Sequence, residues 1–374
     1  MYDLLIRNAR LADDTTADVA VKNGKIAALG QLGEGAAAKT VDLKQKYYLS
    51  AGWIDNHVHA YPSSPIYYDE PDLIGIAGGV TTIVDAGSTG ATDIADFKRI
   101  AANCKTNVKA LLNVSRIGMI VQHELANMDD INAQLDAETI AQHRDFIVGI
   151  KARMSGSVVG SNGIEPLRLA KDIQSANGDL PLMVHVGNPP PTLEEIVDLM
   201  GKNDILTHCF NGKPNRILDG DGRLRDAVKQ AVNRGMLLDV GHGSASFSFE
   251  VARQAINEGI LPDTISTDIY YKNRMNGPVI SLALVMSKFL YLGMTLPQVI
   301  ERVTSRAADM FGFDGKGRLE VGADADLTLF DIDETALEAH DCEGGVEMCS
   351  PNLIPLAAVV AGEVFVTEHG SGKI

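Results

Sequence analysis

Two histidines separated by one residue, in Ile54-Asp55-Asn56-His57-Val58-His59, are the first residues in the chain whose types and spacing could do chemistry. On a strand, side chains alternate, so positions i and i+2 point to one face. A helix would spread them by about 200°. If this run is extended, His57 and His59 can hold one cation between two imidazoles, a donor pair suited to zinc, iron or nickel. The same pair also serves as two partly buried, hydrogen-bonded core histidines, so the rest of the chain has to discriminate. Further donors do recur. Lys151 ends Phe146-Ile147-Val148-Gly149-Ile150-Lys151, His185 ends Leu182-Met183-Val184-His185, His208 ends Ile205-Leu206-Thr207-His208, and Asp268 ends Ile265-Ser266-Thr267-Asp268. Each closes an apolar, strand-like run. Four of the nine histidines therefore fall at strand ends, and an aspartate falls at the last one. His123, His143, His340 and His369 fall outside these stations and read as surface or helix residues.

The elements that must position these donors follow a regular alternation. From residue 51, apolar strand candidates (52–59, 79–86, 108–115, 146–153, 181–186, 204–209, 236–241 and 264–269) alternate with helical stretches near 91–103, 136–145, 165–176, 192–200, 223–234 and 248–258. The interval is about 25–40 residues, the pattern of parallel βα units. Eight such strands predict a (β/α)8 TIM barrel, whose C-terminal strand ends converge on one face. A doubly wound sheet competes, but it places a glycine-rich phosphate loop after its first strand. Here Gly75 and Gly78-Gly79 precede a strand instead.

Residues 1–50 read as short strands, with Asn23-Gly24 as a hairpin signal before Lys25-Ile26-Ala27-Ala28-Leu29. After helical texture over 278–312, strand texture returns, ending in a hairpin around Ala361-Gly362-Glu363. The expected organisation is α/β: a barrel over 51–315, and a small composite β-sandwich domain built from 1–50 plus 316–374.

The 374 residues carry a net charge of −16, which argues against nucleic acid and anionic membranes as partners. No run of about 18 apolar residues suggests a membrane span. Asp3, Arg7 and Arg10 interrupt the apolar region an export signal needs. Cys104, Cys209, Cys342 and Cys349 lack disulfide or CxxC spacing and suit a reducing compartment, so a cytoplasmic location is expected.

The ordered stations resemble the amidohydrolase superfamily along essentially the whole chain, and the flanking β unit resembles the composite sandwich of its hydantoinase, dihydroorotase and deacetylase branches. The run Gly149-Ile150-Lys151-Ala152-Arg153-Met154-Ser155 resembles a narrower branch whose members look like deacetylases. The resemblance implies a binuclear site for divalent metal, zinc above all. Metal ligands would be His57, His59, Lys151, His185, His208 and Asp268, with Lys151 as a bridging N6-carboxylysine. It implies hydrolysis of an amide or ester by a hydroxide that the two metals share, with Asp268 as the catalytic proton shuttle. A protonated lysine cannot ligate a cation, but a lysine beside two dications is driven to its neutral amine, which captures CO2.

The expected substrate is a small molecule with a carbonyl and a carboxylate: an N-acyl amino acid or an O-acyl hydroxy acid, losing its acyl group, most simply acetyl. Two alternatives come from the same superfamily. A dihydroorotase-like cyclic amidase usually has an arginine two residues after the second histidine, where this chain has Tyr61. Many deaminases have a glutamate soon after the strand-five histidine, where this chain has Val186-Gly187-Asn188. Substrate-binding candidates are Arg153, Arg116, Asn211, His242 and Tyr270. Arg153 shares the face of Lys151 and suits either a substrate carboxylate or the fixing of a barrel-mouth loop. Asp55 suits either support of His57 or a core hydrogen bond. A homo-oligomer is compatible with the sequence.

Overall fold

The structure, a computed structural model, describes residues 1–33 and 35–374. Seven parallel strands follow one another in sequence order around a barrel wall: Trp53–Val58, Val80–Ala86, Asn107–Asn113, Ile147–Met154, Leu182–Val186, Asp204–Thr207 and Leu237–Leu238. Their runs are apolar on both faces because helices cover the outside and packed side chains fill the inside. The register sets Met183 beside Lys151 and His185 beside Arg153. Neighbouring donors thus reach the same end of the barrel.

The expected eighth strand, 264–269, closes the barrel without forming a regular ladder. Isolated parallel bridges hold its ends, Asp239 to Thr264 and Val58 to Ile269. Between them the backbone N–H groups of His242 and Gly243 donate to Ser266 and Thr267 carbonyls at 3.2 and 2.8 Å. The cause is local. Asp268 has φ 50°, which breaks extended geometry, and side chains take over ladder partners. Ser266 Oγ accepts from the Gly241 amide at 2.9 Å, and Asp55 Oδ1 accepts from the Thr267 amide at 3.1 Å.

The outer helices are Ile94–Ala101, Ala133–Gln142, Glu165–Ala176, Leu193–Asp198, Asp226–Asn233 and Phe249–Asn257, each near its expected place. Their starts are chemically marked. Asn132 and Ser248 cap by accepting from Leu135 and Val251 amides, and Thr192 with Glu195 forms a capping box. The stretch 278–312 divides into Leu282–Tyr291, Leu296–Arg302 and Ser305–Met310. Gly293, at φ 101°, makes the first break. Among the described residues no helix is long and apolar enough to cross a membrane.

The barrel interior is layered. Met310 and Phe311 close its floor and pack with Val84, Leu111, Met183 and Ile205. Above them lies a polar layer in which Asn56 donates to Met310 Sδ at 3.5 Å and to Asp239 at 3.1 Å. The metal-competent side chains sit above that.

Both chain ends meet in a second, eight-stranded sheet. Asn23 and Gly24, at φ 52° and 71°, make the tight turn their sequence requires. Tyr48–Ala51, which lacked a strand signal of its own, pairs antiparallel with Leu327–Asp333 and delivers the chain to the first barrel strand. Residues Leu337–His340 and Val346–Cys349 form a separate hairpin. It packs on the barrel, where Glu347 accepts from Arg253 and Tyr291.

Thr328 is the seam between the two bodies. Its buried hydroxyl accepts from the Trp53 amide at 3.1 Å and donates to the Gly79 carbonyl at 2.8 Å. Replacing it with valine keeps the shape and leaves two buried backbone groups unpaired. Thr328→Val should cost about 1–3 kcal/mol, read as a lower urea midpoint with an unchanged m-value. An unchanged midpoint would remove the seam from the account.

Candidate active site

The six station residues come together at the C-terminal mouth of the barrel, in a cavity of about 200 Å³. One ligand atom each from His57, His208 and Asp268 lies within 4.8 Å of the others. His59 Nε2 is 3.1 Å and His57 Nε2 3.6 Å from Asp268 Oδ1. Lys151 Nζ is 3.2 Å from His57 Nε2, and the rings of His185 and His208 have centroids 4.6 Å apart.

Each histidine has one nitrogen tied down, and the ties assign the tautomers. Thr207 Oγ1 donates to Asp239 Oδ2 at 2.7 Å, so at 2.9 Å it accepts from His57 Nδ1–H. Ser88 Oγ donates to Asp85 Oδ2 and likewise accepts from His59 Nδ1–H, both at 2.8 Å. His208 Nδ1–H donates to the Gly241 carbonyl at 2.6 Å. In all three, Nε2 is left facing the cavity. His185 is turned the other way: its Nε2 faces Ser155 Oγ at 3.2 Å, and its Nδ1 makes no hydrogen bond among the described residues.

Electrostatics favour the same protonation states. Burial, helped by Lys151, pushes His57 down to about 4, and burial pushes His208 down to about 3 and His185 well below its usual value. These are neutral imidazoles at physiological pH, the form that ligates metal. Burial also pushes Lys151 down to about 7, against the pull of Asp268 and Asp239. No carboxylate forms an ion pair with its amine among the described residues; its neighbours are His57 and Met183 Sδ, the latter at 3.3 Å. Asp268 is lowered: burial works against ionisation, but His57, His59 and His208 outweigh it.

Backbone distortions concentrate here. His208 and Asp268 have φ 64° and 50°, in the left-handed region that non-glycine residues rarely adopt. Gly87 makes room for the Lys151 stem, since an added Cβ would stand 2.6 Å from Lys151 Cβ. Gly241 does the same between Thr207, His208 and His57.

The donor set fits divalent metal: neutral imidazoles, an ionised carboxylate and an unpaired amine in one buried cavity. His57, His59, Lys151, His185, His208 and Asp268 are the residues that could hold it.

The other expected residues are spread more widely. Tyr270 lines the cavity, with its hydroxyl 3.2 Å from Ser244 Oγ. Arg153 lines it too, but its Nε and Nη2 each donate at 2.6 Å to Glu124, fixing the loop that carries Gln122. Arg116 is half-exposed, pairs with Asp130 at 2.7 Å, and lies outside the cavity lining. Asn211 and His242 are buried behind the wall. Asn211 donates to the His208 carbonyl at 2.8 Å, and His242 accepts from Lys288 at 2.7 Å. Asp55 makes a core hydrogen bond, accepting from Thr267 Oγ1 at 2.6 Å.

Sequence reasoning passed over Tyr67, Gln122, Ser155 and Lys213, which also line the cavity. Ser155 had a usable signal, four residues beyond Lys151 and directly after the same strand. Lys213 follows His208 in a loop, where no periodicity points. A larger apolar groove of about 630 Å³ lies elsewhere and contains none of the six stations, so size does not decide the site.

Donors gathered in this way at a barrel mouth belong to enzymes that hydrolyse bonds with a metal ion. Residues 48–364 match the amidohydrolase family, and the chain belongs to it. It is 46% identical over 365 residues to a deacetylase of Enterococcus faecalis, covering 97% of this chain and 99% of that one. Among solved structures it is similar to an adenine deaminase, with TM-score 0.96, 46% identity, and coverage of 98% of this chain and 100% of that one. It is also similar to a dihydroorotase, with TM-score 0.89, 36% identity, and 98% of both chains covered. The activities named for these relatives differ, so the substrate has to be argued from the cavity.

Gly241 offers a test of the site's packing. A Cβ there would meet Thr207 Oγ1, and would lie 2.9 Å from His208 Nδ1 and 3.0 Å from His57 Nδ1. Gly241→Ala should fold but displace both rings, so zinc content after loading should fall well below that of the wild type. Full zinc retention would show that the rings tolerate the methyl group.

Proposed function

We propose that this protein is a binuclear zinc hydrolase that removes an acyl group, most simply acetyl, from an N-acyl amino acid or an O-acyl hydroxy acid. The observation that carries the proposal is the position of Asp268: an ionised carboxylate inside the cavity, in reach of His57 and His59, beside a buried lysine without a carboxylate partner. His57 and His59 with Asp268 would hold one cation, and His185 and His208 the other. Lys151, as its carbamate, would contact both. Bound there, the metals supply a Lewis acid for the acyl carbonyl and a water acidic enough to attack it at neutral pH.

The chain's own groups do the rest. Asp268 takes the proton of the attacking water and delivers it to the departing nitrogen or oxygen. Thr207 and Ser88 hold the rings of His57 and His59 by Nδ1, with Nε2 turned to the cavity. Tyr67, Met119 and Val158 add apolar surface to the cavity wall. A cavity of about 200 Å³ is below the range of drug-sized ligands and suits a short acyl group on a small acid.

The dihydroorotase and adenine deaminase likenesses make cyclic amide hydrolysis and deamination the competing readings. Tyr61, at the position where dihydroorotases usually place an arginine, turns its hydroxyl to Asp96 at 3.1 Å and stays outside the cavity lining. A screen of zinc-loaded protein against N-acetyl-D- and L-amino acids, acetylated hydroxy acids, dihydroorotate and adenine should give turnover on the acetylated acids. Turnover of dihydroorotate or adenine alone would replace the deacylation reading.

Three further outcomes are expected. Protein grown with zinc should approach two equivalents per chain, and Lys151→Ala should lose metal and activity, both partly restored by short carboxylic acids. A fully active enzyme with one equivalent under bicarbonate would contradict the bridged pair. Asp268→Asn keeps the volume and removes the base, so kcat should fall by about 10²–10⁴-fold with zinc retained. Near wild-type turnover in a zinc-replete variant would take Asp268 out of the mechanism.

A further inference from the structure

Among the described residues two lysines are fully buried, Lys151 and Lys288. Lys151 belongs to the donor cluster. Lys288, on the helix Leu282–Tyr291, does not, and it lines no part of the cavity. A buried charge is costly unless hydrogen bonds replace its water. Lys288 forms no ion pair among the described residues. Its ammonium donates instead to three neutral acceptors on three separate segments: His242 Nε2 at 2.7 Å, the Pro278 carbonyl at 2.8 Å and the His340 carbonyl at 2.7 Å. Three acceptors match the three N–H bonds of a protonated lysine. Nζ also stands over the rings of Phe247 and Phe249, 5.7 Å from each centroid. Burial pushes Lys288 down to about 8, with Cys342, Cys349 and Asp341 pulling upward, so it stays cationic at neutral pH. Methionine would fill much of the same space without burying a charge, so the three bonds are what the lysine adds.

The bond to His242 leads back to the site. Burial and the charge of Lys288 push His242 well below its usual value, so the ring is neutral. Because Nε2 accepts from Lys288, the ring proton sits on Nδ1. Nδ1–H donates to the Gly243 carbonyl at 2.9 Å, and the ring stacks on Phe247 with centroids 4.4 Å apart. Lys288 thus fixes both the direction of the ring and the nitrogen that carries the proton. Gly243 in turn lies against Asp268. It has φ 57°, its amide donates to the Thr267 carbonyl at 2.8 Å, and an added Cβ would collide with Asp268 Oδ2. Asp268 Oδ1 faces His57 and His59. Oδ2 makes no hydrogen bond among the described residues, so its direction depends on what packs against it.

We infer that Lys288 is a positioning residue for the Asp268 carboxylate, acting through the His242 ring and the Gly243 backbone. The inference rests on the reading of Asp268 as the proton carrier and adds to it the group that keeps that carboxylate aimed. Neither Lys288 nor His242 touches the cavity. Loosening them displaces the oxygen that faces Gly243 and leaves the histidine stations in place. Proton transfer, which is sensitive to small misplacements, is then affected more than substrate binding.

The test compares zinc-loaded wild type, Lys288→Met, His242→Phe and the double variant, with Asp268→Asn as the reference. The substrate is whichever compound of the screen the wild type hydrolyses fastest, so a failure of the deacylation reading does not stop the test. Lys288→Met should lower kcat by about 10- to 100-fold and change KM by less than about 2-fold, with zinc content equal to that of the wild type. His242→Phe keeps a ring on Phe247 and should show the same split. The double variant should be no slower than the slower single variant, because one path is broken twice. Nitrogen NMR of the histidine rings reads the path without turnover, the His242 signals being those that His242→Phe lacks. In the wild type they should show a proton on Nδ1 and none on Nε2, and in Lys288→Met the proton should spread over both nitrogens. Additive losses, a kcat loss that follows zinc loss one for one, an unchanged kcat in a folded variant, or an unchanged His242 tautomer would each overturn the inference. If Lys288→Met fails to fold, His242→Phe decides alone: a lowered kcat at constant KM supports the path, and a wild-type kcat overturns it. Wild-type turnover by Asp268→Asn would reject the proton carrier itself, and a Lys288-dependent tautomer would then support the path to Gly243 alone.

Discussion

The carboxylate of Asp239 is completely buried, and the barrel is built around satisfying it. A buried ion without its hydrogen bonds costs several kcal/mol. Asp239 has them from four directions: Asn56 on the first strand, Thr207 on the sixth, and Thr264 and Ser266 on the closing segment. Burial works to raise its pKa, but His57 and these donors prevail and keep it ionised. Because segment 264–269 has no regular ladder, these side-chain bonds supply much of what closes the barrel. The same carboxylate, acting through Thr207, fixes the tautomer of His57. Barrel closure and ligand orientation are therefore one network, and a substitution that loosens one should loosen the other.

That coupling explains why the strained residues are tolerated. Left-handed backbone at His208 and Asp268 costs on the order of 1–3 kcal/mol each. Both are held from several sides. The Asp268 amide donates to the His57 carbonyl at 2.6 Å, and Asn273 donates to the Asp268 carbonyl at 2.9 Å. His208 is held through its ring by Gly241 and through its carbonyl by Asn211. Gly243, at φ 57°, lies directly against the Asp268 carboxylate, where a methyl group would collide. The turns that aim the donors inward depart from regular strand geometry, and neighbouring loops hold them there.

What could be read from the sequence follows this division. The donor stations were legible because a strand has period two and a parallel barrel gathers its strand ends on one face. The helices were legible as the stretches that separate the apolar strand runs. Segment 264–269 read as an ordinary strand because its composition is that of one, whereas its geometry is set by Asp55, Asp239 and the turn at Asp268. Asp239 itself carried no signal, since a lone aspartate in Met236-Leu237-Leu238-Asp239 acquires meaning only from donors on three distant segments. Arg153 allowed two readings, a substrate carboxylate or a loop anchor, and its partner Glu124 carried no signal for the same reason: the pairing depends on which partner the loops bring.

The loops also account for a family whose members share a barrel and bear different activity names. The ligand stations lie on strand ends and are stiffened from below by the polar layer. The remaining cavity wall comes from loops, among them the loop fixed by Arg153 and Glu124, the loop carrying Lys213, the segment Ser244–Ser246 and the turn around Tyr270. A further contribution comes from outside the barrel. In the turn of the 337–349 hairpin, the Cys342 amide donates to the Phe247 carbonyl at 2.9 Å and its thiol donates to the Gly243 carbonyl at 3.4 Å. Below it, buried Lys288 donates to the His340 carbonyl and to His242, each at 2.7 Å. A segment inserted between strands of the terminal sheet thus holds the loop that presses on Asp268. Substitutions in that hairpin can move the Asp268 carboxylate relative to the donor histidines without touching any of the six stations, which offers one donor set a route to different substrates.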